Sequence, residues 1–326
     1  MGLLDSFKSM LGGKSSGKSS GKSSGKSSGK SSGKSSGRAI DLEGRFQLER
    51  TAVTGTMAKF FAAKDSNNDN QVVGVKVLDP EKVEAFEGRF KQFKKPSEGQ
   101  IALGMHHPNV VETYEVGVST KGFPVIIMEF VRGPVLQNVI VKKQEQHLAG
   151  KRLKLIKSMA EALKYVHQQE FIHRDICPRN FILLPGSEDI KLIDFGLTVP
   201  AEPPYMAPGN RTGTPLYMSP EVVRRRPTDK RVDIFSLGVT FYCMIGYKHP
   251  WQGDDVTGRA ALNHDTREPK ELTDTCPNVN PALARIIMKM IEPQADDRTR
   301  SITDFLDSYR RIKEIYQDDA PSPVAG

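Results

Sequence analysis

Cysteine is scarce in this 326-residue chain, with Cys177, Cys243 and Cys276 forming an odd and widely spaced set. That pattern carries no disulfide framework and predicts free thiols in a reducing compartment. Long apolar runs are also missing. No stretch approaches the roughly eighteen apolar residues of a membrane span, and the amino terminus lacks the continuous apolar core of a secretory signal, so the expectation is a cytoplasmic protein. Beyond its first 38 residues the chain has almost no net charge. Of the formal +8, residues 1–38 carry +7, from seven Lys and one Arg against Asp5. A body with so little excess charge has no basic face of its own, which excludes a nucleic-acid-binding core and leaves no nucleic-acid partner expected. With 37% hydrophobic residues, the length suits one large domain or two lobes with sizeable cores.

What the chain does have, first, is a repeat. GKSS recurs six times from Gly13 to Ser36 without an apolar residue, so residues 13–38 read as a disordered basic linker with a span of roughly 25–30 Å. The stretch GGKSSGKS, Gly12 to Ser19, fits the phosphate-cradling pattern of Gly, any four residues, then Gly-Lys-Ser. A working loop of that kind needs a buried strand before it and a helix after it; neither flank exists here, and the match is read as accidental. In residues 1–12, Leu3, Leu4, Phe7, Met10 and Leu11 share one helical face, and Gly2 with Ser6 fits the myristoylation pattern. So short a helix forms only on binding, which makes residues 1–38 a candidate for peripheral membrane or partner contact, against the blander reading of a frayed terminus. Residues 317–326 are expected to be a disordered tail.

Past Arg38, apolar segments at Phe46 to Val53, Lys59 to Ala63, Val72 to Leu78, Val110 to Val118 and Val125 to Val131 predict short strands with one helical stretch among them. Helical periodicity follows in Arg152 to Gln169, Val232 to Ile245 and Pro281 to Ile291. The expected shape is a small strand-rich lobe followed by a larger helical one. On this frame stand HRDICPRN (His173 to Asn180), DFG (Asp194 to Gly196), VGVK (Val73 to Lys76), HHPNVV (His106 to Val111), IMEFV (Ile127 to Val131), GTPLYMSPE (Gly213 to Glu221) and DIFSLG (Asp233 to Gly238). By the order of these motifs along the chain and their spacings, the chain resembles the eukaryotic-type protein kinase family over about residues 46 to 316. RTRSITDFL, from Arg298, and TMAKFFAAKD, from Thr56, are similar to the corresponding segments of its bacterial serine/threonine members.

The resemblance implies an α+β, two-lobed protein kinase fold: N-lobe 46–128 with one main helix, hinge 129–133, C-lobe 134–316. It implies ATP and Mg2+ as cofactors and proteins as substrates. Asp175 would orient the acceptor hydroxyl and take its proton, and Asn180 and Asp194 would hold magnesium. Lys76 would reach the phosphates, steadied by Glu98 in preference to Glu84 or Glu87, with Pro96 in the first turn of that helix. Glu129, Val131 and Ile182 would line the nucleotide site. Thr214 would contact Asp175, Glu221 and Arg298 would form a structural ion pair, and Asp233 would brace the large lobe. Singly, such Asp and Asn residues would be turn formers; inside these motifs they are read as functional.

Three departures matter. The loop that should read GxGxxG reads VTGTMA, keeping Gly55 while Val53 and Ala58 stand where glycine lets backbone approach phosphate. Phe60 and Gly74 replace the family's valine and alanine, which we read as a reciprocal large-for-small exchange. Cys177 occupies the place of the family's lysine, and Arg179, placed as in many tyrosine kinases, is the candidate replacement cation. The Gly213-Thr214-Pro215 segment favours serine/threonine acceptors. Arg174 would receive a phosphate on the activation segment, with Thr212 the first candidate acceptor and Thr198 another. The competing reading is a pseudokinase scaffold, supported by VTGTMA and Cys177 and opposed by the intact Asp175, Asn180 and Asp194.

Overall fold

The computed structural model describes residues 39–54, 58–186, 188–251 and 260–317, with backbone alone for 50–54. The segment 1–12, the linker 13–38, Gly55 and the tail from residue 318 lie outside the described residues. Contacts divide the chain into two units: one runs up to Glu84 and adds Tyr114–Phe130, the other takes Ala85–Thr113 and everything from Val131 onward. Residues 85–113 therefore group with the larger unit rather than with the strands on either side of them.

The smaller unit is a five-stranded antiparallel sheet in the order β1-β2-β3-β5-β4, built from β1 (Phe46–Thr54), β2 (Ala58–Asp65), β3 (Gln71–Leu78), β4 (Thr113–Val118) and β5 (Pro124–Glu129). Period-2 alternation sorts its side chains. Val73, Val75 and Val77 of β3 are buried together with Phe61, Ala63, Val125 and Ile127 on one face. The opposite face carries Phe60, Ala62, Gly74, Lys76, Ile126 and Met128, as the pairing of Phe60 with Lys76, Ala62 with Gly74, Gly74 with Met128 and Lys76 with Ile126 requires. Asp41 caps the single helical turn Leu42–Arg45, and Arg45 then reaches Asp65 with two hydrogen bonds of 2.8 Å and Glu115 with one of 2.6 Å, tying β2 and β4 to this turn.

The larger unit is helical, with helix α1 (Pro80–Glu87) running into it and α2 (Glu98–Leu103), α3 (Arg152–Gln168), α4 (Arg231–Gly246), α5 (Pro281–Met290) and α6 (Ile302–Tyr309) within it. The three long periodic segments of the sequence form α3, α4 and α5, each within a residue or two of its expected ends. Every residue of α4 from Val232 to Gly246 is buried, which explains why its sequence is apolar all round. Gly238 lets α4 meet the end of α5: a Cβ there would stand 2.6 Å from Met290 Cβ and 2.8 Å from Ile291 Cγ2. Pro96 differs from expectation, because it lies outside α2. Ser97 is the cap instead: its hydroxyl accepts the Gln100 N–H, and the Gln100 side chain accepts the Ser97 N–H at 2.9 Å. That reciprocal pair satisfies the first-turn donors and starts the helix one residue after Ser97. Among the described residues no helix is long and apolar enough to cross a membrane.

Candidate active site

The loop His173–Asn180 is placed by Asp233, a fully enclosed carboxylate near the start of α4. Its oxygens accept the backbone N–H groups of His173 and Arg174, both at 2.8 Å, and it pairs with His167 Nε2 at 2.9 Å. Three donors offset the cost of burying this charge; they hold its pKa below the usual carboxylate range although burial pushes it up. So pinned, the chain turns through a left-handed Arg174, φ 67°, and presents Asp175.

Asp175 is the centre of a bonded cluster. Its Oδ1 accepts Thr214 N–H at 2.9 Å and Thr214 Oγ1–H at 2.6 Å. Asn180 Nδ2 donates to Asp175 Oδ2 at 3.1 Å and to its backbone carbonyl at 2.8 Å. Both amide protons of Asn180 thus face Asp175, leaving the carbonyl oxygen of its side chain as the atom able to ligate a cation. Arg179 Nη2 donates to Thr214 Oγ1 at 2.6 Å and stands 3.9 Å from Asp175 Oδ2. Cys177 Sγ is 3.4 Å from the same Thr214 hydroxyl. It is fully buried, and burial first, then the Asp175 charge, push its thiol pKa up, so it packs as a neutral thiol.

Asp194 joins this cluster through the backbone, since Ile193 N donates to Asn180 O at 2.8 Å. Asp194 adopts φ 74°, and its Oδ1 accepts Gly196 N–H at 3.0 Å. Glu98, at the first position of α2, arrives on the other side of the same glycine. A Cβ on Gly196 would stand 3.2 Å from Asp194 Oδ1 and 3.3 Å from Glu98 Oε2, so the missing side chain is what lets the two carboxylates flank this backbone. The oxygen-rich set of Asp194 and the Asn180 carbonyl suits a hard divalent cation shared with phosphate oxygens.

The remaining site residues fall as follows. Lys76 and Gly74 lie on β3 of the smaller unit, Ala58 and Phe60 on β2, and Val53 on β1 in register with Phe60. The Phe60–Gly74 exchange is visible sterically: a Cβ on Gly74 would stand 2.7 Å from Phe60 Cζ and 3.2 Å from Met128 Cγ. Glu129 ends β5; Val131 is buried and Ile182 half-buried on β6 (Phe181–Leu183) of the larger unit, beside Gly133, where any Cβ would run into Leu183 O at 1.8 Å. Glu221 and Arg298 meet in a two-point pair, 2.7 and 3.1 Å, with the guanidinium also donating to Arg231, Glu292 and Pro293 carbonyls and lying 5.0 Å over the Phe235 ring. Thr198 is fully enclosed, its hydroxyl 3.4 Å from His173 O, whereas Thr212 is half-buried. Arg174 is buried with Nε and Nη1 lacking a hydrogen-bond partner among the described residues, and burial pushes its pKa down to about 10.

Two residues around this site, His249 and His264, carry no signal in the sequence, while Ser236 stands in the DIFSLG motif. His249, Ser236 and His264 bind the backbone of Leu216, Tyr217 and Met218 from well over ten residues away, and side-chain bonds to a remote backbone follow no fixed spacing.

A five-stranded sheet unit, a helical unit and an aspartate braced by an asparagine and a threonine beside a DFG turn are the parts of an α+β fold of the two-lobed kind. The family model described as the protein kinase domain matches residues 46–309, and the chain belongs to that family. It is 31% identical to a probable serine/threonine-protein kinase of Clostridium acetobutylicum over 85% of this chain and 41% of that one. Similarity extends to the serine/threonine-protein kinase PrkC of Bacillus subtilis, 30% identical over 76% of this chain and 37% of that one. A CBL-interacting serine/threonine-protein kinase of Arabidopsis thaliana is 31% identical over 79% and 52% respectively. The chain thus spans about half the length, or less, of these relatives.

Proposed function

We propose that this chain transfers the γ-phosphoryl group of ATP to serine and threonine hydroxyls of proteins. The observation that carries the reading is the Asp175 carboxylate, held in place by Thr214 and Asn180. An acceptor hydroxyl replacing the Thr214 hydroxyl at Oδ1 would be aligned for attack, and its proton would pass to this carboxylate as the new O–P bond forms and the bond to the leaving diphosphate breaks. Asn180 and Asp194 would hold magnesium, which when bound supplies charge neutralisation at the phosphates. Lys76 would bind phosphate oxygens. Arg179, already bonded to Thr214, is positioned to carry the positive charge that Cys177 cannot. The Thr214 contact favours serine and threonine acceptors over tyrosine. Thr212, half-exposed in the segment that passes Arg174, is the acceptor we assign to activation, a phosphate there supplying partners for the buried guanidinium. The scaffold alternative fits this assembled cluster poorly.

Incubation with labelled ATP, magnesium and a general protein substrate tests the reading: Asp175→Asn should lower transfer by about a thousandfold or more. Equal transfer by the two proteins would remove Asp175 from the mechanism, and mass spectrometry of the active product without phosphate on Thr212 would remove that assignment.

A further inference from the structure

We infer that His249 and His264 are positioning residues for phosphoacceptor binding, clamping the segment Thr214–Met218 through its own carbonyl oxygens. The inference rests on the reading of this segment as the one that faces the acceptor. Three consecutive carbonyls are each taken by a side chain from another element: Leu216 O by His249 Nε2 at 2.7 Å, Tyr217 O by Ser236 Oγ at 2.7 Å, and Met218 O by His264 Nδ1 at 2.8 Å. Two amides of the same segment are satisfied internally, Tyr217 N donating to Thr214 O at 2.9 Å and Met218 N to Pro215 O at 3.3 Å. Inside bonds therefore give the segment its turn, and outside bonds set where the turn stands. Its leading residue is Thr214, whose N–H and hydroxyl end on Asp175. A shift of the clamped carbonyls moves the residue that meets the catalytic carboxylate.

The imidazoles have no packing reason to be imidazoles. His264 is fully enclosed, 4.4 Å from the Trp251 ring and 5.6 Å from that of Phe235, and its Nε2 has no hydrogen-bond partner among the described residues. An apolar side chain would fill this site without leaving a buried nitrogen unpaired. What the histidine adds is its bond to Met218. His249 stacks into the same group, 5.8 Å from Trp251 and from His264, and meets the Tyr217 ring edge-on at 6.1 Å. Its Nδ1 stands 3.2 Å from Trp251 O, and the shorter contact places the proton on Nε2, toward Leu216. The two rings thus hold opposite tautomers, Nε2–H on His249 and Nδ1–H on His264, since each carbonyl requires a donor. Ser236 completes the clamp from α4, the helix whose Asp233 pins the catalytic loop, so one helix sets both sides of the acceptor site.

The opposite tautomers give a discriminating test, because Gln reproduces the Nε2 donor and Asn the Nδ1 donor. Steady-state kinetics on the full chain with a serine/threonine peptide should show about a tenfold rise in peptide KM for His249→Ala and His264→Ala, with ATP KM changed by less than about twofold. His249→Gln and His264→Asn should recover most of the loss. Unchanged peptide KM in the alanine variants, or amide variants as impaired as alanine, overturns the clamp. Imidazole 15N shifts of the wild-type chain, assigned with the same variants, read the tautomers without any turnover. Nε2–H on His249 and Nδ1–H on His264 support the clamp, and the reverse pair overturns it. A wild type that transfers no phosphate would sink the kinase reading instead, leaving the tautomers to judge the clamp.

Discussion

At Gly74 a missing side chain makes room for a large one on the neighbouring strand, since Phe60 Cζ stands 2.7 Å from where a Cβ on Gly74 would sit. Overpacking of that kind costs roughly 1–3 kcal/mol when neighbours cannot yield, and Met128 Cγ at 3.2 Å closes the other side. Gly74→Ala should therefore weaken ATP binding about tenfold, and Phe60→Val in the same chain should restore it. A nucleotide titration showing equal affinity for wild type and Gly74→Ala, or no recovery in the double variant, would remove the coupling. This exchange was legible in the sequence because both residues depart from the family's pattern at once and in opposite directions of size. Asp175, Asn180 and Thr214 were legible for a different reason: each lies in a contiguous motif whose spacing is set by one loop. His249 and His264 were not, since their partners lie 33 and 46 positions away.

Among the elements, α3 and α5 were readable because each carries a sustained 3.6-residue pattern over ten or more residues, whereas α4, apolar nearly all round, is told from a strand by its length. The turns between Ala85 and Phe93 were not, because their aromatic residues stand among Lys, Arg and Glu, and Phe90 is buried beside a distant partner. Tyr205 of the activation segment is that partner: its ring lies 5.5 Å from Phe90 and 5.8 Å from Phe93, and its hydroxyl donates to Phe93 O at 2.7 Å. Arg89 adds a longer contact to Asn210. The segment is thus anchored between Asp194 and Thr214 by a cluster of rings rather than by charge. Tyr205→Phe removes one buried hydrogen bond and should cost about 1 kcal/mol. Tyr205→Ala also removes the ring, and should expose residues 201–212 to limited proteolysis and reduce peptide transfer. Digestion at the wild-type rate in Tyr205→Ala would show that the cluster does not hold the segment.

For the whole molecule, the buried histidines predict the response to acid. Burial pushes His264 down to about 4 and moves His173 and His249 below their ordinary values. The unfolded chain therefore binds these protons first. Stability is fully present above about pH 6.5 and falls as pH drops from there, the His264 share by about 1.4 kcal/mol per unit down to about pH 4. Urea midpoints at pH 7.5 and 5 should show this loss, and His264→Asn should make the slope shallower; an unchanged slope would place the acid sensitivity elsewhere. The central claim, that the cluster around Asp175 transfers phosphate to serine and threonine, is tested most directly by acid hydrolysis of protein labelled from ATP. The account predicts label on phosphoserine and phosphothreonine from the wild type, and none above background from an Asp175→Asn chain that still binds ATP. Label on phosphotyrosine alone, or equal label from both chains, would contradict it.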